Sequence, residues 1–306
     1  MVNKIKTLAP LLGPVISLIV YFLTDSLSSQ QQVFLSIFGF VVYNWLFTQV
    51  PLYVTGFIGV GLSGIFQLAS PKDLLANFGH PIIYLFLAGF LLARAFHKVG
   101  LDRRISLYLL TRDFIKGSMS RLLFTLMFLT ATFTMWISNT ATTAMMLPLV
   151  LGVLDSLEIK DRKSVSMILI CIAYASSIGG IATPIGSTPN IIALGMLEEF
   201  INLKVTFFEW MVYALPISTI FLGILFYLTH IAIKNKNIEF NNHYLKEEYK
   251  KLPKITTSEK WVLSLFLLTV FLWILPSFAK LFNITLPVDL TPGVVGMFTA
   301  SILYML

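Results

Sequence analysis

Apolar runs separated by short polar punctuation dominate the chain. They fall near residues 8 to 23, 32 to 47, 52 to 68 and 80 to 95, then near 122 to 137 and 140 to 154. Further runs occupy 164 to 200, interrupted in the middle, 207 to 233, 260 to 281 and 291 to the end. Most approach the roughly 17–25 apolar residues that cross a bilayer as a helix. The pattern predicts an all-α polytopic membrane protein, which excludes a soluble domain held by one anchor.

The pair at 122 to 154 returns the chain to the side it left, whether it forms two full spans or one re-entrant hairpin. Length favours the hairpin, because an arm over 122 to 137 extends only about 24 Å at 1.5 Å per residue, short of a hydrocarbon core of about 30 Å. Its tip, Ser138-Asn139-Thr140, carries no charge and no loop. An internal echo also appears: Pro51-Leu52-Tyr53-Val54-Thr55 against Pro287-Val288-Asp289-Leu290-Thr291, each after an apolar run containing Trp45 or Trp273. An odd number of spans between the two copies would invert the second, as in many secondary transporters.

Charge then fixes an orientation. Of the 22 Lys and Arg, Lys4 and Lys6, seven between 94 and 121, three between 160 and 163 and seven between 234 and 260 fall on one side of this threading, so 19 share it. The positive-inside rule makes that side cytoplasmic and puts the N-terminus there. Topology thus accounts for the net charge of +7, and the basic residues lack the interleaved aromatic platform that nucleic-acid binding requires. Cys171, the single cysteine, sits in an apolar run and reads as a packing residue, with neither a disulfide framework nor a thiolate metal site. Lys4 and Lys6 before an apolar run resemble a signal peptide, but no small-residue cleavage site follows, so the run reads as the first helix.

Two stretches break the rules of membrane helices. One is Trp136-Ile137-Ser138-Asn139-Thr140-Ala141-Thr142-Thr143, a polar cluster between apolar arms. The other runs from Ser176 to Asn190 and holds Gly179, Gly180, Pro184, Gly186 and Pro189 where a spanning helix should be. A helical proline costs about 3 kcal/mol and a glycine about 1, so the second stretch is expected to unwind. Unwound backbone at membrane depth needs protein or a water-filled cavity around it. Such a break offers free carbonyls to a cation and free amides to an anion. Ser187 or Thr188 suits a helix cap with Pro189 in the first turn, and Ser138 or Asn139 suits a cap for the second arm. Two helix N-termini could therefore face one carboxylate or sulfate, with neutral Ser, Thr and Asn oxygens suited to Na⁺. Neither stretch holds a Lys or Arg, so neutralising a bound anion calls for a co-bound cation. Proton coupling and anion exchange stay open, although acids are absent from the segment centres. Ser, Thr and Gly are also ordinary packing residues of membrane helices, so neither stretch carries the reading alone.

Together, WISNTATTAMMLP and, some 30 residues on, SIGGIATPIGSTPN resemble the divalent anion:sodium symporter family, transporters of succinate, malate, citrate or sulfate. The resemblance covers essentially the whole chain, including 85 to 110, which is similar to that family's fourth helix and its amphipathic extension. It implies a first Na⁺ site from Ser138, Asn139 and the Gly186 region, with Thr134 one turn earlier, and substrate contacts from Asn139, Thr140, Ser187, Thr188 and Asn190. It further implies a homodimer embedded in membrane lipid, working by an elevator in which a transport part slides past a fixed scaffold.

On that basis residues 1–121 are expected to be scaffold helices with the amphipathic extension, 122–154 the hairpin, and 155–233 the broken fifth helix and the sixth. Residues 234–259 read as a cytoplasmic linker and 260–306 as the start of the second repeat. The family carries a second Ser-Asn-Thr hairpin and a second broken helix, and neither occurs here, so the sequence reads as an incomplete transporter or a half-transporter subunit. An intramembrane enzyme would need a general base or metal ligands at depth, whereas His80, His97, His230 and His243 fall near span ends or in loops.

Overall fold

The computed structural model describes residues 9–115, 118–156, 159, 161–233, 243–288 and 290–305. Their regular structure is helical throughout, and they divide at His80 into two compact units.

The first unit contains α1 (Leu12–Leu23), α2 (Ser29–Phe47), α3 (Leu52–Ile65) and the short α4 (Pro71–Ala76). Ser28 starts α2 through a capping box, its hydroxyl accepting from the Gln31 amide while the Gln31 side chain accepts from the Ser28 amide. Gln67 closes α3 in the left-handed region at φ 56°, and the Leu68 amide reaches back to the Ser63 carbonyl at 2.9 Å. The indole of Trp45 on α2 donates to the carbonyl of Leu52, the first residue of α3, at 3.0 Å. Phe22, Leu23, Leu46 and Ile65 are exposed, as expected of side chains whose solvent is lipid.

The second unit begins with α5 (Pro81–Lys98), which turns at Gly100 (φ 76°) into α6 (Leu101–Leu110). Leu101, Ser106, Leu107 and Leu110 of α6 are buried while Arg103 and Tyr108 are exposed, so the helix is amphipathic. Next come α7 (Met119–Thr134), α8 (Asn139–Ser156), α9 (Arg162–Ile181), α10 (Thr188–Ile201) and α11 (Phe207–Ile233). α7 is the interior helix: ten of its sixteen residues are buried. α11 lies at the opposite extreme, with apolar side chains such as Tyr213, Ile220, Tyr227 and Ile231 exposed.

The unit closes with α12 (His243–Lys250), α13 (Thr257–Leu281) and α14 (Pro292–Leu303). Gly293 and Gly296 let α14 lie directly on α5, since a Cβ at either would sit 2.4 Å from the Pro81 carbonyl oxygen or 2.6 Å from the Ala88 Cβ. On α13 the buried Trp273 donates its indole N–H to the carbonyl of Pro292, the first residue of α14, at 2.9 Å and stacks on Phe207 at 4.9 Å. Among the described residues, four helical segments are long and apolar enough to cross a bilayer: Pro71–Lys98, Arg162–Ile181, Phe207–Ala232 and Thr257–Leu281.

Part of the stretch 234–259 is helical and packed. Residues 234–242 lie outside the described residues, but 243–250 form α12, packed on α6 and α8 with Leu245 1% exposed. Three ion pairs tie this region down: Arg103–Glu248 at 3.0 Å, Lys246–Asp113 at 3.4 Å and the largely buried Arg104–Glu259 at 2.5 Å. Thr256 and Glu259 at the same time form a capping box that starts α13.

Candidate functional site

Two interruptions of helix meet in the second unit. α7 ends at Thr134 and α8 starts at Asn139, with Ser138 as its cap, its hydroxyl accepting from the Ala141 amide at 3.3 Å. α9 ends at Ile181 and α10 starts at Thr188, leaving 182–187 unwound. The unwinding is narrower than the glycine content suggests. Gly179 and Gly180 stay helical, and their missing side chains serve close approach: a Cβ on Gly179 would lie 2.2 Å from the Ala131 carbonyl oxygen and one on Gly180 would lie 2.4 Å from Asn139 Oδ1. Pro184 and Gly186 lie within the unwound segment, and Pro189 lies in the first turn of α10, where its lack of an N–H costs nothing.

Several bonds lock the two interruptions together. The Thr183 hydroxyl donates to the Met135 carbonyl and accepts from the Gly186 amide at 3.1 Å. Ser176 on α9 donates to the Asn139 carbonyl at 2.9 Å. Asn190 reaches back from α10, its Nδ2 donating at 2.8 Å to the carbonyls of both Gly180 and Thr183. From α11, Trp210 donates to the Ile181 carbonyl at 3.0 Å and Ser218 to the Ile178 carbonyl at 2.6 Å. The orphan carbonyls at the end of α9 are thus largely taken by side chains.

The sequence-derived site residues distribute as follows. Thr134, Asn139, Gly186 and Asn190 converge around Gly180: a Cβ on Gly186 would lie 2.6 Å from the Gly180 carbonyl oxygen and 2.8 Å from that of Thr134, while Asn139 and Asn190 contact Gly180 directly. Asn190 spends its amide N–H groups inside the unwound segment. Ser187 occupies the cap position of α10 without a side-chain cap bond, and Thr140 and Thr188 are exposed beside the two helix starts. Ser176, Thr183, Trp210 and the helical Gly179 and Gly180 join the junction beyond those residues. Ser176, Gly179, Gly180 and Thr183 all lie in the interrupted stretch that the sequence singles out, although the glycine pair suggests an unwinding that it does not undergo; Trp210 carries no such signal.

The electrostatics are set by what is absent. Neither Trp136–Thr143 nor Ser176–Asn190 contains a titratable side chain. The α8 and α10 N-termini therefore supply the positive potential, through unpaired amides and the helix dipole. A cation finds neutral oxygens instead, and one of them is conspicuous: Asn139 Oδ1 is buried with no hydrogen-bond partner. An orphaned buried carbonyl oxygen costs about 1–3 kcal/mol, which a hard monovalent ion beside it would offset. Elsewhere, His97 pairs with Asp102 at 2.5 Å and His230 with Ser120 at 2.8 Å, so these two histidines serve local contacts.

Comparison with known proteins gives the family. A family model described as the sodium:sulfate symporter transmembrane region matches residues 4–306. A protein named sodium-dependent dicarboxylate transporter SdcS from Staphylococcus saprophyticus is 29% identical over 99% of this chain and 62% of its own length. The protein of that name from Staphylococcus aureus strain USA300 is 27% identical over 97% of this chain and 59% of its own. A protein named only as an uncharacterized transporter, from Haemophilus influenzae, is 36% identical over 66% of this chain and 42% of its own. The chain spans less than two thirds of the length of these relatives. With the family model matched along nearly its whole length and apolar helices recurring throughout, this chain is a multi-pass membrane protein of the sodium:sulfate symporter transmembrane-region family.

Proposed function

We propose that this chain carries half of the binding site of a transporter that moves a dicarboxylate, tricarboxylate or sulfate across the cell membrane together with Na⁺. The observation that carries the reading is the unpartnered, buried Oδ1 of Asn139 where the start of α8 meets Gly180 at the end of α9, in a junction without any charged side chain. Thr134, Ser138, Asn139 and the Gly186 region would surround the cation. Asn139, Thr140, Ser187 and Thr188 would meet the anion at the helix starts, with Asn190 holding the unwound segment in shape. The anion and the cation neutralise each other, so each raises the affinity for the other by the same factor. The relatives named as sodium-dependent dicarboxylate transporters support Na⁺ as the coupled ion.

α7 and α8 form the re-entrant hairpin in this reading. The 16-residue length of α7 supports it, being too short to span a typical core. Trp45 and Trp273 each bind the first carbonyl of the helix that follows, which supports a repeat whose copies begin before α3 and α14. The N-terminus is cytoplasmic by the positive-inside rule. Movement is of the elevator kind, with α7 to α11 sliding as a body in a homodimer. Packing of α5, α13 and α14 on one another supports a separate fixed part in the second unit.

Purified chain in liposomes tests this: an inward Na⁺ gradient should drive accumulation of labelled succinate, citrate or sulfate, and choline should not. The shorter span relative to the relatives favours a second reading, in which the chain is one portion of the transporter and binds without transporting. Na⁺ binding without uptake would select it, and absence of Na⁺ binding would reject both.

A further inference from the structure

Among the described residues, buried helical threonines other than Thr142 satisfy the hydroxyl within their own helix, Thr55 by donating to the Leu52 carbonyl three residues back. Thr125, Thr130, Thr134, Thr229, Thr269 and Thr299 each donate the hydroxyl to the carbonyl four residues back, which satisfies a buried O–H within its own helix. Thr142 is the exception. This residue is 1% exposed, its amide binds the Ser138 carbonyl at 3.0 Å, and its Oγ1 has no partner at all. Among the described residues one other buried side-chain atom is in that condition, and it is Asn139 Oδ1. The two stand three residues apart on α8, which puts them on the same face one above the other.

Chance placement of both orphans on one face of one helical turn would be wasteful, because each costs about 1–3 kcal/mol when left unmet. A shared ligand accounts for both. Resting on the reading of the junction as a cation site, we propose that Thr142 Oγ1 is a further oxygen ligand of that cation, one helical turn beyond Asn139. Side chains at this spacing have Cβ atoms roughly 5–6 Å apart, a gap that one ion with oxygen bonds of about 2.3–2.6 Å can bridge. The donors are a neutral hydroxyl and a neutral amide, and no carboxylate lies in either stretch. That set matches a monovalent alkali cation, since Ca²⁺ sites draw on Asp and Glu oxygens.

The test is Na⁺-dependent thermal stabilisation of the purified full chain in detergent, with choline replacing Na⁺ at constant ionic strength. Wild type should show a melting temperature that rises saturably with Na⁺. Thr142→Val, which keeps the shape and removes the hydroxyl, should raise the half-saturating Na⁺ concentration about tenfold, and Thr142→Ser should stay within about threefold of wild type. Should the valine variant not fold, Thr142→Ala carries the same expectation. An unchanged half-saturation in the hydroxyl-free variant, with Asn139→Ala strongly shifted, overturns the proposal and leaves the cation reading intact. A buried water bridging the two atoms would give that same result. Absence of any saturable Na⁺ effect in wild type overturns the cation reading itself, and this proposal with it.

Discussion

Replacing Gly179 by alanine puts a methyl group 2.2 Å from the Ala131 carbonyl oxygen, 2.3 Å from Thr134 Oγ1 and 2.4 Å from the Ala131 Cα. Two of those atoms are backbone of α7, the interior helix, so neither can rotate away. Overpacking of this kind costs about 1–3 kcal/mol and occasionally more, and helix propensity returns no more than about 1. The overlap exceeds an ångström against ordinary contact at 3.4 Å or more, which places the substitution at the high end, near 3 kcal/mol. A chain of this size should then lose roughly 5–10 °C of melting temperature. Gly195 on α10 is the control, since nothing lies within 4 Å of its Cβ position and alanine there should be neutral or slightly stabilising. Gly180→Ala separates structure from binding: the three atoms nearest its Cβ all belong to the Asn139 side chain, which can rotate where backbone cannot. That variant should keep most of its stability and lose most of its Na⁺ response. Melting curves of the three variants with and without Na⁺ provide the assay, and a Gly179→Ala protein as stable as Gly195→Ala would refute the packing of α9 on α7.

Other consequences are equally direct. Thr183→Val removes the donor to the Met135 carbonyl and one acceptor of the Gly186 amide, so it should cost about 1–3 kcal/mol in thermal melts and weaken the Na⁺ response together with stability. Glu259→Gln strips the buried Arg104 of its counter-charge and should cost about 3 kcal/mol, the lower end for a broken buried pair because Arg104 also binds the Pro253 carbonyl; joint replacement of Arg104 and Glu259 by methionine should recover much of that loss. The hydrogen bond from Lys251, with Arg103 nearby, holds the Glu248 carboxyl below its usual value. A depressed folded-state value means its contribution to docking α12 is complete above the ordinary glutamate value of about 4.3 and lost as pH falls through the folded one, so amide exchange across 243–250 should accelerate only in acid. Exchange that accelerates between pH 6 and 8 instead would point to another group.

How far the residues themselves speak is clearest from cases. Ser138 announced a helix start through its residue type, and the cluster of Pro184, Gly186 and Pro189 announced a break, because both rest on local backbone chemistry that needs no neighbours. Gly179 and Gly180 announced the wrong thing. Their local preference is to unwind, but the tertiary demand for contact with Ala131 and Asn139 keeps them helical. HYLKEEYK reads as a solvated stretch, and only Leu245, Tyr244 and the ion pairs to α6 show that it docks. Asn190, a substrate contact by the resemblance, turns its side-chain N–H groups inward to two carbonyls that are free to accept only because the helix ends there. Thr142 is one of four threonines between 134 and 143 that follow or precede the Ser-Asn pair, and nothing in its letter distinguishes it. Its orphaned hydroxyl is visible only in three dimensions.

The claim on which the functional reading depends is that a cation sits between the hairpin tip and the unwound segment. Thallium(I), a heavy stand-in for a monovalent cation, locates such an ion by anomalous scattering from crystals of the purified protein. A peak within ligand distance of Asn139 Oδ1 and next to the Thr134 and Gly186 backbone, removed by excess Na⁺ and lost in Asn139→Ala, is the predicted result. Thallium bound elsewhere with that junction bare, under the same saturating conditions, would contradict it.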